Sequence, residues 1–140
     1  KSLIEAHQRP QPRVSEGQAL AKAGVLCAMD VSDGFLIDLT KICTASAMSA
    51  RVEAADIPVH PATSKVLPQT ALSMALNGGE DYELVFTAST DVIASLKGKL
   101  ESGFRVIGTI LDGESGLVSV VDRDGNPLEV DAQGWDHLRP

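Results

Sequence analysis

The run Met29-Asp30-Val31-Ser32-Asp33-Gly34 puts two carboxylates and a hydroxyl where an apolar stretch gives way to a helical pattern. Residues 25 to 31 form a short, nearly continuous apolar strand candidate, of the kind buried on both faces. From there on, Phe35, Leu36, Leu39, Ile42 and Cys43 recur at spacings of three and four. That spacing predicts a helix with one stripe packed inward and with Asp38 and Lys41 reaching water. The chain must therefore turn from strand to helix while carrying two acids. If Asp30 and Asp33 bring their carboxylates to about 5 Å, Coulomb's law at an effective dielectric of about 20 gives roughly 3 kcal/mol of repulsion. A helix N-terminus returns only about 0.3 to 1 kcal/mol for a nearby anion. A bound cation, a raised pKa or divergent side chains must relieve the rest. Oxygen-only ligands suit Mg2+ or Ca2+, and Mg2+ takes one or two carboxylates together with substrate phosphates. The structural alternative is that Ser32 or Asp33 merely caps the helix and Asp30 is solvated.

Charge limits the partners. With 19 acidic against 12 basic residues the net charge is −7, which disfavours nonspecific attraction to nucleic acid or anionic lipid. Anionic ligands need a metal or a second protein surface to bring them in. The 140 residues suffice for one domain, which at this size buries about two-thirds of its unfolded surface. No apolar run approaches the roughly 18 residues needed to span a bilayer, and nothing near Lys1 resembles a signal peptide. A cytoplasmic protein without a membrane partner is expected. Because the first residue is Lys1 rather than Met, a processed chain or an excised fragment is expected too. Cys27 and Cys43 are expected to be buried free thiols, and no Cys/His spacing suggests zinc.

Along the chain, the opening segment, with Pro10, Pro12 and Arg13, reads as an irregular arm. Ser15-Glu16-Gly17-Gln18 fits a capping box that opens a helix closed by Gly24. Residues 50 to 54 alternate as a strand, and Pro58 and Pro61 break the chain. A helix is expected from about Thr70 to Leu76, a strand over 82–87, and a helix over 90–101. Strands are expected over 104–110 and 117–121, and Asp124-Gly125 signals a hairpin leading to a short strand over 128–130. Interleaved helices and strands, with consecutive strands near the end, predict an α+β layered domain with a mixed β-sheet packed by helices.

Two further clusters can carry chemistry. In Asn77-Gly78-Gly79-Glu80-Asp81-Tyr82-Glu83-Leu84, two glycines let the backbone approach a ligand closely before adjacent acids emerge. The plainer reading is a helix C-cap followed by solvated acids. In Gly134-Trp135-Asp136-His137-Leu138, the only Trp can stack on a flat ring or seal the edge of the core. Phosphate-loop, nucleophile-elbow and zinc signatures are missing, so a complete nucleotide site is not expected within these residues.

In order and spacing, Ala28-Met29-Asp30-Val31-Ser32-Asp33-Gly34, then Asn77 to Leu84, then Gly134-Trp135-Asp136-His137, the chain resembles the C-terminal half of thiamine-monophosphate kinase. The resemblance covers essentially all 140 residues. It implies a fold shared with aminoimidazole ribonucleotide synthetase, selenophosphate synthetase and a hydrogenase maturation factor, here a single C-terminal substrate- and metal-binding domain. It implies transfer of the γ-phosphoryl group of ATP, with Mg2+, onto thiamine monophosphate to give thiamine diphosphate. By the same resemblance, Asp30 and Asp33 hold Mg2+, Ser32 contacts ATP, and Glu80 and Trp135 face thiamine monophosphate. Asp81 would organise the turn. The family's N-terminal nucleotide-binding domain, through which the full-length protein is expected to form a homodimer, is absent from these residues. The chain alone is therefore expected to be inactive. A noncatalytic module of the same fold that binds a metal or small ligand is the competing reading. A sister enzyme of the superfamily is disfavoured by the Gly-Gly-Glu-Asp-Tyr-Glu and Gly-Trp-Asp-His runs.

Overall fold

Proline punctuation shapes the start of the chain in a computed structural model that describes residues 3–100 and 102–130. Helices α1 (Leu3–Gln8) and α2 (Val14–Lys22) flank Pro10 and Pro12, so the expected irregular arm contains a short helix, which buries none of its residues. The expected capping box does not form. Arg13 is the N-cap of α2, and Ser15, already inside the first turn, donates its hydroxyl to Glu16 instead. The C-cap Ala23 is followed by Gly24 at φ 89°, a left-handed conformation that ends a helix with no Cβ penalty.

Strand β1 (Cys27–Asp30) alternates instead of being buried on both faces. Cys27 and Met29 pack against the core, Ala28 and Asp30 face outward, and Leu26 just before them is 99% exposed. Helix α3 (Phe35–Ala45) follows with the predicted stripe of Phe35, Leu36, Leu39, Ile42 and Cys43 buried. Strand β2 (Ser49–Glu53) runs into a single 3-10 turn, Ala54–Asp56. Pro61 opens a helix rather than breaking the chain. In α4 (Pro61–Val66) it occupies the first turn, where its missing N–H costs nothing, and the imidazole of His60 accepts from the Ala62 amide at 3.1 Å.

Helix α5 (Ala71–Asn77) lies where expected. Strand β3 (Leu84–Thr87) starts two residues later than expected, because Glu80 and Tyr82 adopt φ of 66° and 52° and cannot be strand. Helix α6 (Thr90–Leu96) is capped by Ser89 and stops well short of residue 101, with Gly98 turning the chain at φ 74°. Strands β4 (Gly108–Leu111) and β5 (Val118–Val121) complete the regular elements. The Asp124-Gly125 turn is held by Asp122, whose carboxylate accepts the Asp124 and Asn126 amides, each at 2.9 Å. Beyond it Leu128 donates to Val120 without extending into the expected strand.

The strands form two sheets. In one, β1 pairs antiparallel with β3, from Cys27 opposite Thr87 to Asp30 opposite Leu84. The other is mixed, in the order β4-β2-β5, with β2 antiparallel to β4 and parallel to β5. Helix α3 touches β1, β2, β5 and α5 and so joins both sheets into one α+β layered body. Its stripe meets Val31, Ala50, Val52, Leu76, Val85 and Val120 in the core. Cys27 and Cys43 are free thiols; Cys43 is fully buried, which pushes its pKa up, and Cys27 is only half-buried. Among the described residues no helix is long and apolar enough to cross a membrane.

Leu39→Ala empties the middle of this stripe and should cost about 2 to 5 kcal/mol in urea unfolding. Leu26→Ser should stay within about 0.5 kcal/mol of the parent. Equal effects of the two substitutions would contradict the burial of Leu39 and the exposure of Leu26.

Candidate functional site

The two acidic segments meet where β1 and β3 run out. Past Asp30 and Leu84 the pairing continues in irregular backbone: Val31 donates to the Glu83 carbonyl, Tyr82 to Val31 and Glu80 to Ser32, each at 2.8 Å. The glycines make this approach possible. A Cβ on Gly79 would lie 2.7 Å from the Ser32 carbonyl oxygen, and one on Gly34, at φ 130°, would lie 2.8 Å from that of Asn77. Only glycine lets the C-terminal end of α5 sit this close to the turn into α3. Glu80 and Tyr82, both left-handed, carry the strain that non-glycine residues store in such loops. Beside this junction Asn77 Oδ1 is buried with no hydrogen-bond partner among the described residues.

Asp38 holds the first segment in shape. Its side chain is 1% exposed, not in water as its place on the helix predicts. One carboxylate oxygen, Oδ2, accepts the amides of Ser32, Asp33 and Gly34 at 2.9, 3.0 and 3.3 Å. The other, Oδ1, accepts from the Lys41 ammonium at 2.7 Å, and the same ammonium reaches Asp33 at 2.5 Å. Burial acts to raise the Asp38 pKa, but Lys41 and the amides of Asp33 and Ser32 outweigh it and hold the carboxyl below its ordinary range. Asp33, and after it Asp38, raises that of Lys41. Lys41 thus neutralises charge shared by Asp33 and Asp38.

The second segment is anchored from the N-terminal side. Arg13 grips Glu83 through two nitrogens at 2.9 and 2.7 Å and approaches Glu16 at 3.7 Å, and the Glu83 contact raises its pKa. Glu80 and Asp81 are exposed as residues. Partial desolvation of the Asp81 carboxyl, and then the charge of Glu83, nevertheless raise its pKa.

Asp30 therefore ends β1 and Ser32, Asp33 and Glu80 are carried on two interlocked loops, whereas Trp135 lies outside the described residues. Among those residues no group of three or more His, Cys, Asp or Glu side chains could hold a metal. Asp30 and Asp33 are hard oxygen donors, a set that fits a Mg2+ taking its other ligands from phosphate and water rather than from a protein cage. The residues not anticipated from sequence are Asp38, Lys41 and Arg13. The first two carried a signal: an acid in the first turn of α3 can fold back over the amides of the turn that precedes it, with a lysine three positions on to neutralise it.

No protein-family model matches the chain. The fold superposes on the structure of AaThiL complexed with AMPPCP and TMP with a TM-score of 0.79 at 27% identity, covering 97% of this chain and 41% of that one. It also matches a thiamine-monophosphate kinase from Stenotrophomonas maltophilia K279a with a TM-score of 0.74 at 40% identity, covering 86% of this chain and 37% of that one. The architecture is that of the aminoimidazole ribonucleotide synthetase-like proteins. In sequence, 140 residues are 41% identical to the thiamine-monophosphate kinase of Escherichia coli O157:H7, over 97% of this chain and 42% of the relative. The similarity is thus to the C-terminal part of thiamine-monophosphate kinases. It spans about 42% of the length of the curated relatives it matches.

The low pKa of Asp38 fixes the sign of its pH effect. Stability from the ionised carboxylate is complete above the ordinary aspartate value, about 3.9, and is lost as pH falls through the lower folded-state value. The difference in unfolding free energy between the parent and Asp38→Asn should be flat from about pH 8 to pH 5 and shrink towards about pH 2. A gap that stays constant into acid would contradict this role.

Proposed function

We propose that the chain supplies the metal- and substrate-binding side of a kinase that transfers the γ-phosphoryl group of ATP to thiamine monophosphate, giving thiamine diphosphate. The nucleotide-binding side, and the homodimer contact, would come from an N-terminal domain of the kind its relatives' greater length accommodates, in a cytoplasmic enzyme. The observation that carries this reading is the lacing of Asp30–Gly34 to Gly79–Glu83 by backbone hydrogen bonds, which makes one acidic surface of two distant motifs.

In this reading Asp30 and Asp33 hold Mg2+ and the Ser32 hydroxyl contacts ATP. When bound, the metal neutralises the charge of two polyanions as they approach. The carboxylates need not move a proton, because the acceptor is a phosphate that is already anionic at neutral pH. Positioning then carries most of the catalysis. The rigidity of the Asp33 backbone, fixed through Asp38, serves that need. Glu80 offers a negative charge to the thiazolium cation, and the strained backbone around it aims the side chain away from the core. Trp135 would stack on the substrate ring.

The 140 residues alone should give no turnover of thiamine monophosphate with ATP and Mg2+. In a full-length kinase carrying this C-terminal part, Asp30→Asn and Asp33→Asn should each lower kcat by at least about tenfold with the melting temperature nearly unchanged. Robust turnover by the isolated chain would contradict the need for a second side. Unchanged Mg2+ dependence in both variants would contradict the metal role.

A further inference from the structure

The Lys41 ammonium sits where a cation is called for. It bridges Asp33 at 2.5 Å and Asp38 at 2.7 Å. Its two partners differ in what they can give up. Asp38 is 1% exposed and its second oxygen is committed to three backbone amides, so it cannot turn towards a ligand without breaking the loop. Asp33 has a side chain 41% exposed, and its carboxylate has Lys41 as its only side-chain partner among the described residues. Lys41 is 46% exposed on a long flexible stem, free to swing without disturbing the core.

We propose that Lys41 is a built-in counter-ion that competes with the divalent cation for Asp33, releasing Asp33 while keeping Asp38 when the metal binds. The proposal rests on Asp33 being a metal ligand. It gives the lysine a purpose that a surface ion pair lacks: without metal it prevents uncompensated charge from splaying the loop, and it sets a threshold that metal must exceed. In this way the loop keeps one shape in both states. Lys41 is thus a positioning residue for Asp33 and takes no part in the chemistry.

Binding of Mn2+ to the 140-residue protein, followed by the loss of its free-ion paramagnetic resonance signal, tests this directly. Lys41→Met should bind Mn2+ at least about tenfold tighter than the parent, a change of about 1.4 kcal/mol. Lys41→Arg, which keeps the charge, should stay near the parent. Lys65→Met removes an exposed cation on α4, outside both acidic segments, and should leave the affinity within about twofold, since exposed charges at longer range are screened. In the parent, Mg2+ should shift the side-chain 15N resonance of Lys41. Equal or weaker binding by Lys41→Met, with the parent still binding, overturns the competition while leaving the metal role of Asp33 intact. Equal tightening by Lys65→Met also overturns it, because net charge alone would explain the gain. If neither the parent nor Lys41→Met binds Mn2+, the metal reading fails and this proposal fails with it.

Discussion

Three backbone amides converge on one carboxylate oxygen, and much of the molecule is arranged so that they can. The amides of Ser32, Asp33 and Gly34 lie in the turn that leads into helix α3, and Asp38, in the first turn of that helix, folds back to receive them. Hydrogen bonds to a charged acceptor contribute about 1.5 to 3 kcal/mol each, and here they compensate for burying an ion in the wall of the core. Removing the carboxylate would leave buried donors unpaired. The turn between strand and helix is therefore a fixed object rather than a flexible loop, and side chains mounted on it inherit that rigidity.

The same economy governs the second acidic segment. Its route past Ser32 is open only to a backbone without Cβ at Gly79, and its left-handed residues at Glu80 and Tyr82 return the chain into β3. Arg13 then ties Glu83 to the start of α2. Elements distant in sequence are thus joined chiefly by main-chain contacts, which leave the side chains of Glu80 and Asp81 exposed. In the proposed kinase reading, a scaffold held in this way meets what phosphoryl transfer asks of a protein, since orientation and charge do most of the work.

Much of this was legible in the chain. Period-three-and-four spacing located α3 and its buried stripe, and glycine punctuation marked the ends of α2 and α5. The joint occurrence of the Asp30–Gly34 and Asn77–Leu84 runs pointed to a common family and a common surface. What escaped was tertiary. Burial of Asp38 depends on where three amides point, which no hydropathy pattern records; its helical position placed it in water. The apolar run at 25–31 read as a doubly buried strand, yet β1 lies in a two-stranded sheet that packs one face on the core, so Leu26 is left in solvent. Pro61 read as a breaker because its place in a first helical turn is recognisable only once His60 is known to cap that turn.

The central claim is that the two acidic segments are one mechanical unit held by backbone contact. Amide hydrogen exchange measured by NMR on Gly79→Ala tests it most directly. The amides of Val31, Glu80 and Tyr82 should lose protection together, while those of the β4-β2-β5 sheet keep theirs. Unchanged protection at Val31, Glu80 and Tyr82, in a protein where position 79 carries a Cβ, would contradict the account.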